Sequence, residues 1–108
     1  MVMNFMNIAK QVQNAQKRAE QAQKELAALE ITGESANGYV KVTCDGQGKF
    51  KSIKITPEAI SGTDTESVEI LEDLISAAIS QANEKASKEM SAKMKQITGG
   101  ISIPGLSF

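Results

Sequence analysis

The chain has 108 residues, enough for one domain and too few for two, with 41% hydrophobic and 23% charged residues, the balance of an ordinary globular protein. It has no His and no Trp, which removes the commonest general base and the commonest metal ligand, and its single cysteine, Cys44, excludes a disulfide framework and a Cys-rich zinc site. The formal net charge of −1 conceals a strong segregation: residues 1–54 carry eight Lys/Arg against five acids, residues 55–84 carry seven acids and no base, and residues 85–108 carry four Lys against one Glu.

The first predicted element is a helix over residues 5–29. Phe5, Ile8, Val12, Ala15, Ala19, Ala22, Leu26 and Leu29 recur at alternating spacings of three and four, a heptad seam with no Gly or Pro inside it. Small residues at its middle let another helix come close, and a stripe this narrow needs a partner helix. Residues 30–55 then read as strands. Asn37-Gly38 predicts a two-residue type I′ turn between a strand near 30–35 and one over 39–45. Asp45-Gly46, loosened by Gly48, predicts the turn into a third strand over 49–55. Val40, Val42 and Cys44 alternate with Lys41 and Thr43, so one face of the sheet is buried, and Ile53 and Ile55 continue that face. Phe50 is out of phase with Ile53, which points to a bulge or a turn position.

Pro57 ends the sheet because it cannot donate to a ladder. Thr63 and Glu66 have capping-box spacing, with Asp64 and Thr65 as alternative caps. A second helix follows over about residues 65–96, with the stripe Leu71, Leu74, Ile75, Ala78, Ala82 and Ala86 drifting to Met90, Met94 and Ile97. Gly99-Gly100 stops it. The expected organisation is a single domain over 1–98 and a flexible tail over 99–108. The fold class is α+β: helix, three-stranded antiparallel meander, long helix. A strand of six residues reaches about 20 Å and a helix of 25 about 37 Å, so the helices project beyond the sheet. Their overhang implies a homodimer, with Val12, Ala15, Ala19, Ala22, Met90 and Met94 as candidate interface residues.

Lys10, Lys17 and Lys24 fall seven apart, opposite the apolar seam, with Arg18 beside them. Such a row can follow phosphates along a duplex, although charged residues there also simply keep a helix soluble. Lys85, Lys88 and Lys95 on the second helix are the other candidate phosphate contacts, and their bland role is to complement the helix dipole. Lys93 reads most simply as a dipole partner. Lys41, Lys49, Lys51 and Lys54 decorate the sheet, where lysines deter edge aggregation. Tyr39 and Phe50 are too few to make a stacking platform. The acids from Asp64 to Asp73 lack a calcium-loop pattern, and Gly46-x-Gly48 lacks the length of a phosphate loop. Cys44 lies on the apolar face of a strand and reads as core.

Ile31-Thr32-Gly33-Glu34-Ser35, Gly38-Tyr39-Val40-Lys41-Val42-Thr43, Gly46, Ile53-Lys54-Ile55 before Pro57, Leu71-Glu72-Asp73-Leu74-Ile75 with Ala77-Ala78, Thr98-Gly99-Gly100 and Pro104-Gly105 together resemble the YbaB/EbfC family of bacterial nucleoid-associated proteins. The resemblance covers nearly the whole chain. Thr56 departs from the Asp usual before that Pro, and Asp45 from the Asn usual before that Gly. The resemblance implies a tweezers-shaped homodimer whose projecting helices grip duplex DNA, and a role in nucleoid organisation and gene expression. The expectation is therefore a cytoplasmic, nucleoid-located DNA-binding protein, with no enzyme activity and no cofactor, metal, membrane or small-molecule partner. The competing expectation is a protein-interaction module that docks a partner on the acidic segment or the helical seam.

Overall fold

A computed structural model describes the backbone of residues 5–98 and the side chains of residues 6–97. The elements are α1 (Phe5–Ala28), β1 (Ile31–Ser35), β2 (Val40–Cys44), β3 (Phe50–Ile55) and α2 (Thr65–Thr98), with single 3₁₀ turns at Ala36–Gly38 and Pro57–Ala59. The strands form an antiparallel meander in the order β1-β2-β3. The described residues extend over 76 × 20 × 17 Å, because both helices run past a sheet only five or six residues long. The tail expected over 99–108 and the side chain of Phe5 lie outside the described residues.

The register Gly33↔Val42↔Ile53 and Ser35↔Val40↔Ile55 puts one apolar row on each strand onto a single face. α2 lies on that face along β1 and β2, and the core is Ile31, Val40, Val42, Cys44, Ala59, Ala78, Ala82 and Ala86. The contact is close because both sides are small. A Cβ built on Gly33 would stand 2.1 Å from the carbonyl oxygen of Ala78 and 2.6 Å from the amide of Ala82. Here the helix touches bare backbone. Ser35 ties the far end of the strand to the helix by donating to the Leu74 carbonyl at 2.6 Å. The unpaired edge of β1 is closed by two side chains one helical turn apart. Gln81 Oε1 accepts the Glu34 amide at 2.8 Å, and Lys85 donates to the Thr32 carbonyl at 2.8 Å.

The other edge is open. Ile53 and Ile55 lie on the apolar face, as the alternation predicts, yet every residue of β3 is exposed because α2 stops at β2. Phe50 faces Cys44 across a register shift at Thr43/Cys44, and that bulge absorbs its change of phase. Asn37-Gly38 marks a turn, as expected, but not the two-residue type I′ form. Ser35 pairs with Val40, leaving four residues between the strands, and Ala36, Asn37 and Gly38 all adopt positive φ. At the second turn the Asp45 carboxylate accepts the amides of Gln47 and Lys49 at 2.9 and 3.0 Å, so this buried acid is satisfied by backbone. Asp64, rather than Thr63, stands at the start of α2. It accepts the Ser67 hydroxyl, and that bond holds its carboxyl below the usual aspartate range.

The first helix is anchored at its C-terminal end. The Gly46 amide donates to the Leu26 carbonyl at 2.8 Å, so the β2–β3 turn satisfies a carbonyl of the last helical turn, and Gln47 Nε2 adds a bond to the Gln23 carbonyl at 3.2 Å. Leu26 beneath it is fully buried. Gly33→Ala is expected to lower stability by about 3 kcal/mol, the upper range for overpacking, because the clash is with helix backbone rather than a movable side chain. Urea unfolding monitored by circular dichroism measures it, and a midpoint equal to the wild type would contradict the close approach.

Candidate nucleic-acid interface

The C-terminal half of the α1 seam finds its partner helix inside the chain. Ala22 and Leu26 are buried, and Arg18, Gln21, Ala22 and Glu25 share a groove with Lys93, Gln96 and Ile97 of α2. Glu25 pairs with Lys93 at 2.5 Å, and Gln21 steadies the same carboxylate. The hydrogen bond from Lys93, with help from Gln21, holds the Glu25 carboxyl below the ordinary glutamate range. Moving from Glu25 back to Arg18 corresponds to moving from Lys93 on to Ile97, so the two helices run antiparallel, and α1 continues past the described end of α2.

This packing fixes where the cations point. At about 100° per residue, Lys24, Lys17 and Lys10 stand roughly 160°, 140° and 120° around α1 from Ala22. All three are exposed, on the side turned from α2, along about 21 Å of helix. Arg18 is exposed at the rim of the interhelical groove. On α2, Lys88 and Lys95 flank a shallow surface with Glu84, Ser87, Ser91 and Ala92. Lys88 lies 3.7 Å from Glu84, but both ends are largely exposed, so the pair is weak and available to a competing phosphate. Lys85 is the exception among the expected contacts, since its ammonium is spent on the Thr32 carbonyl. Of the candidate interface residues, Ala22 is enclosed by the chain's own α2, Ala15, Ala19, Met90 and Met94 are half-buried, and Val12 is exposed.

Charge is sorted along the length of the molecule. The bond from Ser35 to Leu74 and the pair Glu25–Lys93 set the direction of α2 along the chain. The acids Asp64, Glu66, Glu69, Glu72 and Asp73 occupy its first, exposed turns at one end, while Lys10, Lys17, Arg18, Lys24, Lys88 and Lys95 occupy the paired helices toward the other. Four acids lie among the cations on these helices: Glu25 and Glu84 are each paired with a lysine, and Glu20 and Glu89 are exposed, so the cationic end keeps a surplus of positive charge without being free of carboxylates. The Glu25–Lys93 clasp and the Gln81/Lys85 closure of β1 carry no local sequence signal, because their partners are 47 to 68 residues apart. Burial pushes the Cys44 thiol up, consistent with a core residue. No helix among the described residues is long and apolar enough to cross a membrane.

Known proteins share this sequence and this shape. The model of the YbaB/EbfC DNA-binding family matches residues 1–101. The chain is 43% identical over 103 residues to a nucleoid-associated protein of Clostridium acetobutylicum, covering 95% of this chain and 89% of that one. It is 45% identical over 103 residues to a nucleoid-associated protein of Deinococcus radiodurans, covering 95% and 99%. Among solved structures, the crystal structure of an uncharacterized protein from Helicobacter pylori superposes with a TM-score of 0.77 at 16% identity, covering 89% of this chain and 98% of that one, and so shares the fold.

The clasp predicts a pH dependence. A glutamate whose pKa is lowered on folding contributes stability above its unfolded pKa, near 4.3, and that contribution fades as pH falls through the lowered folded value. Lys93→Met should therefore reduce the melting temperature at pH 7 and narrow its gap from the wild type as the pH drops below about 4. Melting curves of both proteins across that range test it, and a gap constant with pH would remove the clasp from the account.

Proposed function

The chain belongs to the YbaB/EbfC DNA-binding family, and on that premise we propose that the paired helices α1 and α2 form a cationic arm that binds duplex DNA through its phosphates, with little sequence preference. The observation that carries this reading is the sorting of charge: an exposed lysine row on α1 and Lys88 and Lys95 on α2 lie away from the acidic start of α2. Their chemistry also supports it. Eleven of the twelve cationic side chains are lysines, point charges on flexible stems, and Arg18 is the single arginine able to read a guanine edge with two parallel hydrogen bonds. Binding of this kind serves nucleoid organisation, and gene expression through it.

The functional unit in this reading is a homodimer. Phe50, Ile53 and Ile55 form an exposed apolar row on an edge strand, on the face that α2 covers over β1 and β2. A second copy covers this row, and lysines 49, 51 and 54 on and beside the strand complement the acidic turns of α2. Each protomer then contributes one arm to a two-armed grip. The exposed Ile60, Val68 and Ile70 among the acids favour a second reading, a protein-docking surface. Partners that still co-purify after nuclease treatment would support that alternative.

With about six phosphates neutralised, log K should fall with log salt at a slope near −5. Titrating a labelled duplex at several salt concentrations measures the slope, and a flat response overturns phosphate-driven binding. Replacing Lys10, Lys17 and Lys24 together by Glu should abolish binding while the solution mass stays that of the wild type. Normal affinity in this variant would reduce the row to a solvated surface.

A further inference from the structure

The acids of the cationic end stand in different relations to its lysines. Glu25 is hydrogen-bonded to Lys93, whose side chain is only 22% exposed, so that pair belongs to the packing of the arm. Glu20 and Glu89 are exposed and make no ion pair among the described residues. Glu84 differs from all three. It is paired with Lys88, one helical turn on, at 3.7 Å, with 71% and 77% of the two side chains exposed. The surroundings of this pair suit an anion. Taking Ala82 as the direction of the core, Ser87, Ser91, Glu84, Lys95 and Lys88 all point away from it, within an arc of about 100°. They line one shallow depression, in which Glu84 is the single carboxylate among the described residues. From Glu84 to Lys95 the helix rises about 16 Å, long enough to follow more than one phosphate of a strand. The Ser87 and Ser91 hydroxyls have no hydrogen-bond partner among the described residues, so they can donate to a phosphate without adding charge.

We infer that Glu84 is an internal competitor of phosphate: it occupies the Lys88 ammonium in the free protein and gives it up when the arm engages duplex DNA. The inference rests on the DNA-binding reading above and adds to it the residue that holds the affinity down. The exchange is open because an exposed ion pair in water is weak. A phosphate replaces the carboxylate charge for charge, and its neighbours along the strand meet Lys95 and the two serines at the same time. Because the exchange takes place at a phosphate contact, it lowers affinity alike for every sequence. The bland role of Glu84 is to support α2 as an ordinary pair spaced four residues apart, with the acid on the favoured N-terminal side. That role leaves affinity untouched, so the two can be told apart. Glu89 supplies the control. It lies on the same helix and carries the same charge, but stands about 140° round from Glu84, off the depression and on the side where Lys93 and Ile97 meet α1.

Affinities of the full chain for a labelled duplex at fixed low salt test it. Glu84→Gln should raise affinity about threefold, the effect of one charge a few ångström from a phosphate in water, and equally on two duplexes of unrelated sequence. Glu89→Gln makes the same change of net charge and should leave affinity close to the wild type. In a Lys88→Gln background, Glu84→Gln should lose most of its gain, which a general relief of repulsion would not. Circular dichroism and solution mass should match the wild type in every variant, because the pair is exposed. No gain from Glu84→Gln, an equal gain from Glu89→Gln, or a gain that survives intact without Lys88 overturns the inference and leaves phosphate binding in place. Wild-type protein without salt-dependent binding overturns the DNA reading itself, and this inference with it.

Discussion

One contact sets the geometry of this protein: the backbone of β1 at Gly33 meets the backbone of α2 between Ala78 and Ala82 with no side chain between them. An approach this close requires a residue without a Cβ on the strand and alanines on the helix, and α2 presents Ala78, Ala82 and Ala86 along one line. The helix axis is thereby drawn over β1 and β2. Gln81 and Lys85 fall beside the outer edge of β1 and satisfy its free amide and carbonyl. The same displacement leaves β3 bare. A bulkier residue at position 33 would lift the helix and break the two edge bonds together.

The charge pattern follows from that placement. The helix has 34 residues, about 51 Å at the rise of an α-helix, and only its middle lies on the sheet. The N-terminal overhang carries the acids, where the dipole favours them, and the C-terminal overhang carries lysines. α1 joins the C-terminal overhang through Glu25–Lys93 and the groove that Ala22 shares with Ile97. A chain of almost zero net charge thus acquires a cationic end and an acidic end. The total charge is silent about this, because the sorting depends on which overhang α1 pairs with.

Much of the architecture is legible in the sequence, for local reasons. The seam of α1 and the stripe of α2 are periodic over many turns, and the alternation Val40, Val42, Cys44 reports a half-buried strand directly. The bulge at Phe50 is legible because its phase conflicts with Ile53. What could not be read depends on contacts between distant residues. Asn37-Gly38 announces a turn, but its four-residue form is set by the pairing of Ser35 with Val40. Asp64 and Thr63 are equally good caps on paper, and only the bond to Ser67 distinguishes them. The exposure of Ile53 and Ile55 is invisible to an alternation rule, which reports a face and not what covers it. Among the candidate contacts, Lys85 looks like its neighbours in sequence, yet the edge of β1 claims its ammonium. Five of the remaining candidates lie on exposed helix faces with no ion pair among the described residues, and Lys88 has only a weak one.

The two uncovered apolar regions differ in kind, and that difference bears on how a grip could be built. The row on β3 lies on an edge strand in the middle of the molecule, so a second copy placed there joins the rigid bodies and leaves the helical ends apart. The stripe on α1 lies near the tip of the arm, beyond any sheet. Burying that tip against a partner's tip would close the gap between two arms, whereas joining the copies through β3 keeps it open. A duplex is about 20 Å wide, and phosphate contacts from two separate lysine rows require a gap of that order. The row on β3 is thus the contact compatible with the two-armed hold proposed above. The position of Lys10, Lys17 and Lys24 opposite the seam satisfies the same requirement, because a lysine row beside the stripe would be masked by whatever covers it.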